Sequence, residues 1–173
     1  MFTSIITSAI IIFGSSYIGI TYASKYEIAV NQISSFINAF KMLEFDISFL
    51  RLPLSETFER ISKSQKGAVK KVFEFMSKEL SEKKTDNAGE LFKKSLDKYS
   101  KELIFSNEVK DTLYDFSENM GCMDVENEIV NIKAAYIKLK YFEEEARESA
   151  KKNVKMCRGL GLLAGIFIVL ILC

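Results

Sequence analysis

The chain has no histidine, no tryptophan and a single proline, Pro53, in 173 residues. Without histidine it lacks both the usual general base near neutral pH and the commonest nitrogen ligand for zinc. Cysteine is scarce and odd in number. Cys122, Cys157 and Cys173 show no paired metal-ligand spacing, so neither a zinc site nor a disulfide framework is expected, and reduced thiols in a cytoplasmic compartment are the simplest reading. Cys157 and Cys173 lie where acylation would be open to them, although small apolar side chains suffice to explain both. There is also no phosphate-binding loop, no glycine-rich dinucleotide turn, and no serine or cysteine beside a plausible base. The expectation is a protein with no catalytic residues, no metal and no cofactor.

Two acidic groupings invite a cation-site reading and do not support it. Glu143, Glu144 and Glu145 are consecutive, and neighbours on a helix point about 100° apart. Glu44 and Asp46 are two positions apart and diverge on a helix for the same reason. The net charge of +1 is too small for a surface that tracks phosphates, so nucleic acid is not expected as a partner.

What the chain does have is charge confined to its middle. All 24 Lys and Arg and all 23 Asp and Glu lie between Lys25 and Arg158. Met1–Ser24 is uncharged and rich in isoleucine, with Tyr17 and Tyr22 near its end. As a helix it would reach about 36 Å, enough for a hydrocarbon core of about 30 Å, and the tyrosines suit the interfacial belt. A secretory signal peptide cleaved after Thr21-Tyr22-Ala23 is the competing reading, but such peptides open with Lys or Arg and this one does not. At the other end, Gly159–Cys173 is apolar throughout. Extended back to Met156, with Lys155 and Arg158 snorkelling, it reaches about 27 Å. The juxtamembrane basic residues Lys151, Lys152, Lys155 and Arg158, like Lys25 after the first span, place the middle of the chain on the cytoplasmic side. The expected organisation is therefore a transmembrane anchor over 1–24, a cytoplasmic helical bundle over 25–155 and a transmembrane helix over 156–173.

No stretch alternates with period two for long enough to make a strand, so the fold class is all-α, a bundle of about six helices. The first span runs on through about Leu50, with Ile33, Ile37, Phe40, Leu43, Ile47 and Leu50 on one face. Pro53 ends that helix and opens the next, which carries Leu54, Phe58 and Ile61 and stops near Gly67. Val69, Val72, Phe73, Met76 and Leu80 mark a third helix. After a polar loop, Asp86 is placed to cap a fourth, with Leu91, Phe92, Leu96 and Tyr99. Ser106 or Asn107 caps a fifth, with Val109, Leu113, Phe116 and Met120, and Gly121 suits the left-handed residue that ends it. Asp124 then caps a long helix that is amphipathic at first, with Ile129, Ile132, Tyr136, Leu139 and Phe142 inward and Lys and Glu opposite. Its inward face thins to Ala146, Ala150 and Val154 before the basic cluster. The spans themselves offer small-xxx-small spacings, Ser15 with Gly19 and Gly161 with Gly165, which let helices approach closely within one chain or in a homo-oligomer.

With this order of elements established, the chain resembles the stage III sporulation protein AB family of endospore-forming bacteria over nearly its whole length. The resemblance rests on Leu43-Glu44-Phe45-Asp46-Ile47 followed by Pro53-Leu54, on Phe116 through Asp124 opening the last helix, and on Asn153 through Gly161 entering the final span. Ser117 and Glu128 stand where that family typically has glycine and glutamine. The run Phe49 through Leu54 is also similar to the cytoplasmic helical domain of the type II secretion platform proteins of family F.

The first resemblance implies a non-enzymatic protein of the mother-cell membrane around the developing forespore, with most of the chain cytoplasmic. There it would belong to a channel or secretion-like complex and sit beside other membrane subunits and an ATPase-like cytoplasmic partner. The functional expectation is an assembly platform. The rival is a membrane-anchored signalling adaptor that relays movement of the spans along the long helix. A sensor needs an outer ligand-binding portion, and this topology leaves only a few residues outside.

Overall fold

The computed structural model describes the backbone of residues 2–82, 87–121 and 124–172, and side chains within 24–156 of those ranges together with Tyr17, Thr21 and Leu163. Among the described residues the fold is all-α, with no strand. It comprises α1 (Phe2–Phe45), a π-helical turn (Asp46–Leu50), α2 (Leu54–Ser64), α3 (Gly67–Ser81), α4 (Ala88–Lys98), α5 (Asn107–Asn119) and α6 (Val125–Leu172). The chain divides into two compact units, one made of 1–30 and 145–173 and the other of Asn31–Glu144.

In the first unit, α1 and α6 contribute their outer ends. Ala150 is buried there, whereas Lys151, Lys152 and Lys155 are exposed. Among the described residues no helix is long and apolar enough to cross a membrane. The side chains of the two expected spans lie almost wholly outside the described ones.

The second unit is built around phenylalanine. Phe36, Phe40, Phe58, Phe73, Phe92 and Phe116 are all fully buried. They come from α1, α2, α3, α4 and α5, each at a position set by its own helical stripe. Phe36 is the hub. Its ring centroid lies 6.4 Å from Phe40, 6.0 Å from Phe73, 6.4 Å from Phe92 and 5.9 Å from Phe105. Phe40 meets Phe116 at 4.5 Å. From α6, Ile132 and Leu139 are fully buried, and Ile129, Tyr136 and Phe142 are half-buried.

The helix ends follow local chemistry. Asp124 caps α6, its Oδ1 accepting from the Asn127 N–H at 3.0 Å. The φ of +76° at Gly121 is the left-handed conformation expected there. The Gly121 N–H donates to Glu128 Oε2 at 3.0 Å, and burial raises the Glu128 carboxyl above the usual carboxylate range. The cap of α4 is Asn87, which accepts from the Glu90 N–H at 3.0 Å; the expected cap, Asp86, lies outside the described residues. Ser106 takes the position before α5. Gly67 belongs to the start of α3 rather than the end of α2, which stops at Ser64, and its φ is +58°.

One tie within the second unit escaped the periodic pattern. Gln32, off the apolar stripe of α1, donates through Nε2 to the Glu102 carbonyl at 2.7 Å and accepts the Ile104 N–H on Oε1 at 2.6 Å. A single amide thus satisfies a carbonyl and an N–H of the connection between α4 and α5. Lys71 adds a bond to the Glu102 carboxylate at 2.7 Å.

Candidate functional site

The corner between α1 and α2 carries more unusual chemistry than any other described part of the chain. The expected helix does run to Leu50, but its last five residues, Asp46–Leu50, form a π turn. A π turn accommodates one residue more than an α turn, and such turns concentrate at functional sites. The extra residue rotates the stripe. Leu50, expected on the buried face, is exposed, and Asp46 is buried in its place. Arg51 then closes the corner in the left-handed region, with φ 49°, its N–H bonded to the Asp46 carbonyl. For a residue with a long side chain that conformation is uncommon. Pro53 precedes α2, and its carbonyl accepts from the Glu56 and Thr57 N–H groups at 3.1 and 3.0 Å.

Below the corner sits an ion pair. Asp46 is 1% exposed, and its Oδ1 accepts from Arg60 of α2 at 2.9 Å. Its Oδ2 has no hydrogen-bond partner among the described residues, and neither has the buried Thr57 hydroxyl. Burial pushes the Asp46 carboxyl upward, against the pull of Arg60 and with a smaller push from Glu56. A raised carboxyl pKa means that the folded state takes up a proton more readily than the unfolded one. Burying Asp46 therefore costs stability above that pKa, and the cost is relieved as pH falls through it. Removing the cation from a buried carboxylate leaves the charge uncompensated. Arg60→Ala should lower stability by about 2 kcal/mol at neutral pH, and by less at a pH acidic enough for a proton on Asp46 to replace the lost counter-charge. Urea melts at the two pH values measure this; an equal deficit at both would show that Asp46 is not what Arg60 supports.

Above the pair the surface is aromatic. Phe45 and Phe49 stack with centroids 5.2 Å apart, and Phe49 is 75% exposed. With Leu50 they form an apolar knob on a backbone fixed by the π turn, the Arg51 conformation and Pro53. The knob has no nucleophile or base to act with, but it is suited to burial against another protein. The sequence placed Glu44 and Asp46 on diverging directions, and they go to different helices: Glu44 pairs with Lys133 of α6 at 3.3 Å and Asp46 with Arg60 of α2. What the sequence missed was the burial of Asp46, since a π turn leaves no periodic signal.

A second exposed surface corrects the expectation for α6. Its outward face is not simply Lys and Glu. Val130, Ile137 and Tyr141 are 63%, 62% and 70% exposed, with Ala134 also exposed on the same face. Their steps of four, three and four were visible in the sequence but hidden by the lysines between them. Of the residues singled out from the sequence, Lys151, Lys152 and Lys155 are exposed. Ser15, Gly19, Gly161, Gly165 and Arg158 lie outside the described side chains, and so do Cys122 and Cys173. No group of His, Cys, Asp or Glu among the described residues could hold a metal.

Comparison with known proteins decides the kinship. The profile of the stage III sporulation protein AB family matches residues 4–173. The chain belongs to that family. A curated relative, stage III sporulation protein AB of Bacillus subtilis (strain 168), is 29% identical over 162 residues, which are 94% of this chain and 94% of that protein. A solved structure of a stage III sporulation protein AB superposes with a TM-score of 0.67 at 26% identity, covering 72% of this chain and 97% of the other. The run Leu43–Ile47 with Pro53-Leu54, one of those that carry the resemblance, falls on the π-turn corner. Gly121 stands just before the entry to α6, where its N–H is held by Glu128.

Proposed function

We propose that this sporulation protein is a non-enzymatic membrane platform, docking an ATPase-like cytoplasmic protein within a channel or secretion-like complex. In this reading 1–24 and 156–173 are transmembrane helices, 25–155 is the cytoplasmic bundle, and the protein sits in the membrane around the forespore on the mother-cell side. The observation that carries it is the exposed Phe45–Phe49 pair on a conformationally fixed corner of the helical unit. A preordered aromatic knob loses little conformational freedom when a partner covers it. Membership of a sporulation family gives the setting. The uncharged ends of the chain supply the anchors, and the likeness of Phe49 through Leu54 to the secretion platform proteins supports the class of complex.

Phe49→Asp tests the proposal, because an exposed side chain can be changed with a stability effect of about 0.5 kcal/mol or less. The variant is expected to melt like the parent protein, to lose its cytoplasmic partner in co-purification from sporulating cells, and to fail to support spore formation. Normal sporulation with the knob charged would remove the corner as the docking point.

A further inference from the structure

The outward face of α6 repeats Val130, Ala134, Ile137 and Tyr141 at the four-three-four spacing with which helices pair along a common seam. It extends about 17 Å, three turns of helix. All four residues are exposed, and at the start of the run Asp124, Asn127, Val130, Asn131 and Ala134 line an open groove. An apolar seam of this length, uncovered among the described residues, marks an interaction surface. The residues that border it decide what kind of helix fits. The positions flanking the seam carry Lys133, Lys138 and Lys140, all exposed, with no acidic residue between Val130 and Tyr141. Lys133 leans to Glu44 at 3.3 Å and Lys138 to Asp115 at 3.9 Å. The Lys138–Asp115 pair is exposed, of the kind that contributes little, and Lys133 is exposed although its partner Glu44 is half-buried, so both lysines can be reached by a further carboxylate. Lys140 has no ion-pair partner among the described residues. The acids of α6 all stand beyond the two ends of the seam, Glu126 and Glu128 before Val130 and Glu143, Glu144, Glu145 and Glu148 after Tyr141.

A second copy of the chain is a poor occupant. Antiparallel pairing centred on Ile137 would set Lys138 against its own copy and Lys133 against Lys140, and parallel pairing would set Lys133 against Lys138. Like charges flanking such a seam oppose association. We infer that this face receives an amphipathic helix of a different protein, one that presents an apolar stripe bordered by Glu or Asp. The three lysines would then set the choice and orientation of that helix, and Ile137, at the centre of the seam, would be its main anchor. The inference does not depend on the platform reading, since it concerns a different surface from the Phe45–Phe49 knob.

The test uses the full chain in detergent and two designed peptides of about three heptads. Both carry Leu along the seam, one with Glu and one with Lys at every flanking position, and binding is read by fluorescence anisotropy. The Glu peptide should bind at least about tenfold more tightly than the Lys peptide, and raising salt from about 0.05 to about 0.5 M should shrink that preference. Ile137→Asp should weaken the Glu peptide by about tenfold or more while leaving the thermal melt in place. Changing Lys133, Lys138 and Lys140 together to Glu should reverse the preference in favour of the Lys peptide. Lys140→Glu alone, which breaks no ion pair among the described residues, should move it the same way by less. Equal binding of the two peptides, no binding of either, or indifference to Ile137→Asp would overturn the proposal. So would a concentration-dependent dimer in sedimentation that Ile137→Asp abolishes, because the face would then belong to a second copy. A platform failure would leave these peptide measurements untouched.

Discussion

Phe36→Ala should lower the unfolding free energy by about 3–5 kcal/mol, the range for removing a fully buried aromatic ring. Phe36 sits where α1, α3 and α4 meet, its ring within 6.4 Å of Phe40, Phe73 and Phe92 and 5.9 Å from Phe105. Truncation forfeits the transfer energy of the ring and leaves a cavity that rigid neighbouring rings cannot collapse to fill. Edge-to-face contacts with Phe40, Phe92 and Phe105 contribute about 0.5–1.5 kcal/mol each beyond burial. They are lost at the same time, which favours the upper part of the range. Phe49→Ala is the control, since that ring is largely in solvent and its loss should cost about 0.5 kcal/mol or less. Urea melts of the two variants measure the contrast. Similar deficits would mean that Phe36 is not the hub of the core.

Gly89→Ala should be the next most damaging, although helix propensity alone argues the reverse. In an unconstrained helix the change would gain about 1 kcal/mol. Here a Cβ on Gly89 would lie 2.0 Å from the Ser117 carbonyl oxygen, 3.2 Å from its carbon and 3.3 Å from the Met120 carbonyl oxygen. All three are backbone atoms of α5 and the turn after it, so no side chain can rotate away, and α4 and α5 must separate. Separation loosens Leu91, Phe92 and Leu96 on one helix and Leu113 and Phe116 on the other, all buried. Overpacking of this kind typically costs about 1–3 kcal/mol, occasionally more, and a backbone clash puts this site at about 3 kcal/mol. Thermal unfolding measures it. An alanine variant as stable as the parent would show that the two helices do not approach so closely.

The sequence marked Gly67 and Gly121 but not Gly89. Gly67 and Gly121 announced themselves through local grammar: each stands at a break between apolar stripes, and each has positive φ. Gly89 lies inside α4 and is explained by a neighbour some thirty positions later, which periodicity cannot see. Gln32 gives no signal of its role for a related reason. It stands off the stripe of α1, and its partners Glu102 and Ile104 are brought to it by the packing of other helices. The burial of Asp46 gives no signal in the sequence, because the π turn alters which residues share a face without changing composition or spacing. On α6 the stronger inward stripe masks the outward Val130, Ile137 and Tyr141 in the pattern.

By itself the sequence determined the all-α class, the order of six helices, the caps at Asp124 and Gly121, most of the buried phenylalanines and the family. The family rested on the resemblance of particular runs of residues; the rest follow from interactions within a turn or two of helix, where spacing fixes which side chains share a face and which backbone groups need a partner. Only the tertiary structure decided that Phe36 would be the hub, that Gly89 must stay without a Cβ, and that Asp46 would be buried against Arg60. It also decided that two apolar surfaces, the Phe45–Phe49 knob and the lysine-bordered seam of α6, would remain uncovered. Burial is a property of what packs against a residue, and one strand of sequence specifies the stripe on each helix but not which stripe is left over once the core is full.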